Sequence, residues 1–125
     1  MLKAVQKTPV EGFPLDDLPL EKRKKQFADI IAKYPDRIPV LVKRHSTNTA
    51  KIDKGKFLIP ADSTFGTLMF VIRQRIKLPA EKALFIFVND SLPKVSEHIG
   101  TVYDKYKSPD GFLRVVYSEE NTFGK

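Results

Sequence analysis

The side chains that ordinarily carry chemistry are few in this chain of 125 residues, and they do not converge. Cysteine is absent, which excludes disulfides, thiolate nucleophiles and sulfur-ligated metals. The two histidines, His45 and His98, stand far apart, and neither falls in a metal-ligand spacing such as H-x-x-x-H. Each reads as an ordinary surface or loop histidine. Six glycines include no G-x-G-x-x-G or Walker pattern that would cradle a phosphate. Carboxylates are scattered through helices and turns, where solvation accounts for them. No reaction can be assembled from this inventory, so the chain is read as a non-enzyme with no catalytic residue, metal or cofactor.

Two features remain that bind rather than react. The run Lys22-Arg23-Lys24-Lys25 would neutralise an anionic partner; its plainer reading is a solvated helix face. No aromatic RNA-binding signature accompanies it, so specific nucleic-acid recognition is not expected. The short apolar segment Phe57-Leu58-Ile59, flanked by Lys54, Lys56 and Pro60, could be a sheet edge that accepts an acidic extended peptide as an added strand. The competing reading is an edge blunted by lysine.

The elements that must position these groups follow from hydrophobic periodicity. Pro9, Pro14 and Pro19, with Gly12 and Asp16-Asp17, disfavour a long helix and mark an arm that packs through Phe13, Leu15 and Leu18. Phe27, Ile30, Ile31 and Tyr34 share one helical face, and Pro35 ends that helix. Ile38 to Arg44 is a β-branched strand with Pro39 near its start or at an edge. Lys56 to Ile59 is a second strand. Asp62-Ser63-Thr64 offers caps to a helix whose core stripe is Phe65, Leu68, Met69 and Ile72, with Ile76 continuing it. Leu84 to Val88 is a strand buried on both faces, about Ser96 to Tyr106 a weaker helix, and Phe112 to Tyr117 the last strand. Arm, helix, two strands, helix, strand, helix and strand make an α+β plan with helices on one sheet.

Length allows one domain with one ordinary core. The 42% hydrophobic and 30% charged fractions fit a folded water-exposed protein. No apolar run approaches the ~18 residues that cross a bilayer, and the start resembles no signal peptide, so a cytoplasmic site is expected. The net charge of +7 is uneven. Residues 1–60 hold 13 Lys/Arg against 7 Asp/Glu, whereas residues 61–125 hold 9 against 8. That imbalance points the first half toward an anionic partner. The tail from Ser118 to Lys125 is by itself a frayed end. Behind a ubiquitin-like domain, its Gly124 would offer a carboxylate on an unhindered carbon, able to thread a narrow enzyme channel.

Several blocks resemble one family. Lys33-Tyr34-Pro35-Asp36-Arg37-Ile38-Pro39-Val40, Phe57-Leu58-Ile59-Pro60-Ala61-Asp62 and Ile72-Arg73-Gln74-Arg75-Ile76 look like the autophagy-related ubiquitin-like modifiers. These include the GABA-receptor-associated protein and the light chain of microtubule-associated proteins. Ala83 to Asn89, Asp110-Gly111-Phe112-Leu113 and Asn121-Thr122-Phe123-Gly124 extend the match, which covers about Pro19 onward.

The resemblance implies a ubiquitin-like β-grasp with additional N-terminal helical structure. Residues 1–18 would be an arm, 19–117 the domain and 118–125 a tail carrying the processed glycine. It also implies a modifier, not a catalyst. A cysteine protease would cut between Gly124 and Lys125 and later delipidate the protein. Activating and conjugating enzymes would pass Gly124 to phosphatidylethanolamine on autophagosomal membranes, with delivery onward to vacuole or lysosome. Autophagy receptors and adaptors would bind through an aromatic-x-x-aliphatic motif. Ile30, Pro39, Leu41, Lys56, Leu58 and Phe112 would form the aromatic pocket, and Phe57, Ile59, Pro60, Leu68 and Val71 the aliphatic one. Arg37, Lys54 and Arg75 would attract acidic neighbours of the motif. Lys22, Arg23, Lys24 and Lys25 would face acidic lipid or tubulin tails. Gln26 and Ser63 depart from the usual acidic residue and leucine of the family. The rival reading is an unconjugated ubiquitin-like scaffold that binds tubulin tails, acidic polymers or RNA through its basic half; it does not need Gly124.

Overall fold

A computed structural model of the chain describes residues 10–120. The helix α1 spans Leu20–Lys33 and ends where expected. Tyr34, held before Pro35, leaves the helical region at φ −132° but still donates its N–H to the Ile30 carbonyl at 2.8 Å. The strands are β1 (Arg37–Arg44), β2 (Lys56–Pro60), β3 (Phe85–Phe87) and β4 (Leu113–Ser118), and the other helices are α2 (Phe65–Arg75) and α3 (Ile99–Tyr106). They form one sheet in the order β2-β1-β4-β3. The central pair β1 and β4 is parallel, and the outer pairs are antiparallel. This is the expected α+β arrangement of a β-grasp.

Alternation along the strands gives the sheet two apolar faces. Val40, Val42, Ile59, Leu113, Val115 and Tyr117 join Phe65, Leu68 and Ile72 of α2 and Ile99 and Val102 of α3 in the main core. Leu41 and Phe112 are equally buried but lie outside that cluster. They face α1, whose Phe27 meets Phe112 edge-on at 5.6 Å. The helices therefore lie on both faces of the one sheet.

Three details differ from the sequence reading. The start of α2 has no side-chain cap. Its free amides are met instead by carbonyls of the loop before α3, Phe65 to Glu97 at 2.7 Å and Gly66 to Val95 at 2.9 Å. The segment before α3 is a turn closed by the Glu97 N–H on the Lys94 carbonyl at 3.0 Å, and α3 begins at Ile99 and not near Ser96. The apolar run around Phe85–Phe87 is short and lies at the sheet edge, although Ile86 and Phe87 are both 2% exposed. Pro39 sits in a central strand but pairs only with β2, because pairing to β4 begins at Val40.

The described part of the arm, from residue 10, is packed, as its apolar residues predict. Phe13, Leu15 and Leu18 are half-buried. Phe13 lies against two cations, Lys43 at 4.9 Å and Arg114 at 5.6 Å from its ring centre. Pro14 fills the space that Gly55 leaves by lacking a Cβ; an added Cβ there would come within 2.9 Å of the proline ring and 2.6 Å of the Val42 carbonyl.

Candidate functional site

Among the described residues the strand β2 has one neighbour, so its other side is an open row of backbone donors and acceptors. Its residues alternate between the two faces of the sheet. Leu58, opposite Pro39 in the register, turns to the α1 side; Phe57 and Ile59 turn to the α2 side. An extended partner laid on this edge would divide its side chains in the same way. Residues three apart in such a partner point to opposite faces, so an aromatic-x-x-aliphatic spacing could engage both.

On the α1 side, all six residues expected at the aromatic pocket line one cavity of about 200 Å³. Pro39, Leu41 and Phe112 are buried, Ile30 and Leu58 half-buried, and Lys56 exposed. Gln26 is at this cavity and brings a neutral amide to it. Leu15, Val40 and Phe57 also line it and escaped the sequence reading of this pocket. Alternation assigns Val40 and Phe57 to the opposite face, and nothing local in the arm points Leu15 toward β1.

On the α2 side the expected residues are less equally available. Leu68 is 0% exposed and Ile59 6%, both within the main core. Phe57, Pro60 and Val71 are half-buried and supply the accessible apolar surface. Ser63 is tied by backbone bonds, its N–H to the Pro60 carbonyl at 3.0 Å and its carbonyl to the Ile99 N–H at 2.8 Å.

The flanking cations differ in their commitments. Arg37 and Lys54 are exposed beside the two ends of β2. Arg75 pairs with Asp53 at 3.2 Å and stands 5.6 Å over the Phe57 ring. Its charge is thus partly answered within the chain.

The basic run on α1 divides by helical face, because Arg23 stands four residues before Phe27 and seven before Ile30 and so lies on their side of the helix. Lys22, Lys24 and Lys25 are exposed, Lys25 with an open contact of 3.4 Å to Asp29. Arg23 turns inward and donates to Asp110 at 2.9 Å and to the Leu18 carbonyl. Asp110 also receives two bonds from Arg114, at 2.8 and 3.0 Å, and the Phe112 N–H at 3.1 Å. Burial alone would push the Asp110 carboxyl up, but these donors outweigh it and hold the group down at about 2. Arg114 further reaches Asp16 at 3.0 Å. One buried carboxylate therefore fastens α1, the arm and β4 together, and these elements frame the aromatic pocket.

Among the described residues no cluster of His, Cys, Asp or Glu could hold a metal, and no helix is long and apolar enough to cross a membrane. Gly124 and Lys125 lie outside the described residues.

A family model described as autophagy protein Atg8, ubiquitin-like, matches residues 22–124. Autophagy-related protein 8 of Candida albicans is 50% identical over 111 residues, covering 88% of this chain and 82% of its own. Among solved structures, Atg8 of Trypanosoma brucei superposes with a TM-score of 0.79 at 34% identity, covering 86% of this chain and 95% of that one. Atg8 of Plasmodium falciparum, solved in complex with an Atg3 peptide from the same organism, matches with a TM-score of 0.77 at 34% identity. That match covers 85% of this chain and 94% of the other.

Proposed function

This chain belongs to the Atg8 family of ubiquitin-like autophagy proteins, and on that premise we propose that it is a lipid-conjugated modifier that recruits aromatic-x-x-aliphatic peptides to autophagosomal membranes. The observation that carries the recruiting half is the open edge of β2, with a cavity on its α1 side and apolar surface on its α2 side. A peptide strand gains backbone hydrogen bonds along Lys56 to Leu58. It places its aromatic residue among Ile30, Pro39, Leu41, Leu58 and Phe112, and its aliphatic residue near Phe57, Pro60 and Val71, over Ile59 and Leu68. Arg37, Lys54 and Arg75 speed the approach of acidic flanks. One buried aromatic contributes roughly 1.5–3 kcal/mol, consistent with affinity of about micromolar order. A peptide from a conjugating enzyme, of the kind seen on the Plasmodium falciparum protein, is one such ligand.

The conjugation half rests on the family match that runs to Gly124. A cysteine protease hydrolyses the Gly124–Lys125 bond, and an activating enzyme adenylates the new carboxylate. Thioesters on that enzyme and on a conjugating enzyme then carry it to the amine of phosphatidylethanolamine. The chain itself has no cysteine and supplies no nucleophile, so it is substrate and tag. Two acyl chains, at about 0.8 kcal/mol per buried CH₂, anchor the product firmly. The exposed Lys22, Lys24 and Lys25 favour a second, weaker contact with acidic lipid headgroups or tubulin tails.

Two measurements test the proposal. Phe57→Ala with Leu58→Ala should lower the affinity for a motif peptide by about tenfold or more in calorimetry; unchanged binding would rule out the groove. Intact mass of the cellular protein should show loss of Lys125 and gain of a phospholipid, and Gly124→Ala should abolish both. Lipidated Gly124→Ala protein would refute conjugation at this residue.

A further inference from the structure

Among the described residues of the N-terminal arm, Leu15 is the one in the wall of the aromatic pocket. It is presented with unusual care. Its φ is +74°, a left-handed conformation that a branched side chain like leucine rarely adopts and that persists only when its surroundings enforce it. The enforcing contacts lie on either side. Phe13 is packed between Lys43 and Arg114, and Pro14 sits against Gly55. Asp16 binds Arg114 at 3.0 Å and accepts the Phe13 N–H at 3.1 Å. The Leu15 carbonyl receives the Leu18 N–H at 2.9 Å. The arm is thus pinned before and after Leu15, and the side chain between the pins is delivered to the cavity.

We infer that Leu15 is a specificity-determining wall of the aromatic pocket, set in place by the pinned arm, and that it favours a phenyl anchor over an indole one. The inference rests on the groove proposed above. The other walls come from β1, β2, α1 and Phe112, which are held by the sheet and its packing. Leu15 is held only through the arm. Its isobutyl group exceeds a methyl by three carbons, and an indole exceeds a phenyl ring by three non-hydrogen atoms. Trimming Leu15 therefore opens about the space that separates the two anchors, while taking contact surface away from the smaller one.

The test uses the whole chain and two synthetic peptides that differ only in Phe or Trp at the anchor position. Their affinities are measured by calorimetry. Leu15→Ala should raise the Trp-to-Phe affinity ratio by roughly fivefold or more. Phe13→Ala with Asp16→Ala keeps Leu15 but unpins the arm, and should move the ratio in the same direction. A ratio left below that increase by Leu15→Ala, or left unmoved by the unpinning variant, overturns the inference while the groove stands. Leu58→Ala separates the underlying reading, because it should weaken both peptides together. If it weakens neither, or if the unaltered chain binds neither peptide, the groove is wrong and the inference falls with it.

Discussion

Replacing Asp110 by asparagine should destabilise the protein far more than a turn residue normally would. The side chain is 1% exposed and accepts bonds from Arg23, Arg114 and the Phe112 N–H. Its carboxyl titrates at about 2 in the fold against an ordinary 3.8. That difference corresponds to about 2 kcal/mol of stability at neutral pH. Asparagine loses the charge and also turns an NH₂ group toward guanidinium donors, so the expected loss is about 2–4 kcal/mol. For a domain of this size, even the lower figure should reduce Tm by roughly 6–12 °C. The sign with pH is definite. A carboxyl whose pKa is lowered on folding stabilises fully above its unfolded value, and the contribution disappears as pH falls through the folded value. The gap between the unaltered chain and Asp110→Asn should therefore be full at pH 7 and narrow between about pH 4 and pH 2. Urea unfolding followed by far-UV circular dichroism at several pH values reads both quantities. A loss under about 1 kcal/mol at pH 7, or a gap that does not narrow on acidification, would refute this account of the buried carboxylate.

Gly111→Ala should cost about 1–3 kcal/mol, because Gly111 has φ +101° and an added Cβ would stand 2.5 Å from the Phe27 ring. Thermal melting reads the loss, and a wild-type Tm would contradict the packing described. Replacing Lys22, Lys24 and Lys25 together by glutamine should weaken sedimentation with vesicles containing acidic lipid at low salt, with stability held within about 0.5 kcal/mol. Arg23→Gln should instead lower Tm, because it breaks the 2.9 Å bond to Asp110. Equal loss of stability in the two variants would remove the distinction drawn between these four cations.

Local pattern alone determined much of this protein. The i, i+3, i+4 spacing of Phe27, Ile30 and Ile31 marked α1, Pro35 marked its end, and the stripe of Phe65, Leu68 and Ile72 marked the helix that fills the main core. These are short-range signals, because helix and strand periods are completed within a few residues. Motif blocks identified the family, and positions carried over from it brought six residues to one cavity. What the pattern left open depended on docking between distant segments. Helical phase sets Arg23 on the face of Phe27 and Ile30, but the partner that receives it there, Asp110, stands 87 positions away. The start of α2 shows three polar residues suited to capping, yet carbonyls from the loop before α3 reach its amides first. Leu15 sits in a proline-rich arm with no period to assign it a face; contacts to Lys43, Gly55 and Arg114 place it at the pocket. Whether β2 stands at an edge is likewise a property of the sheet order and of no single segment. Short-range periodicity dictates elements because its energetics close within one turn or one strand. The groove, the buried carboxylate and the arm were decided by tertiary structure, because their partners meet only after the chain has folded.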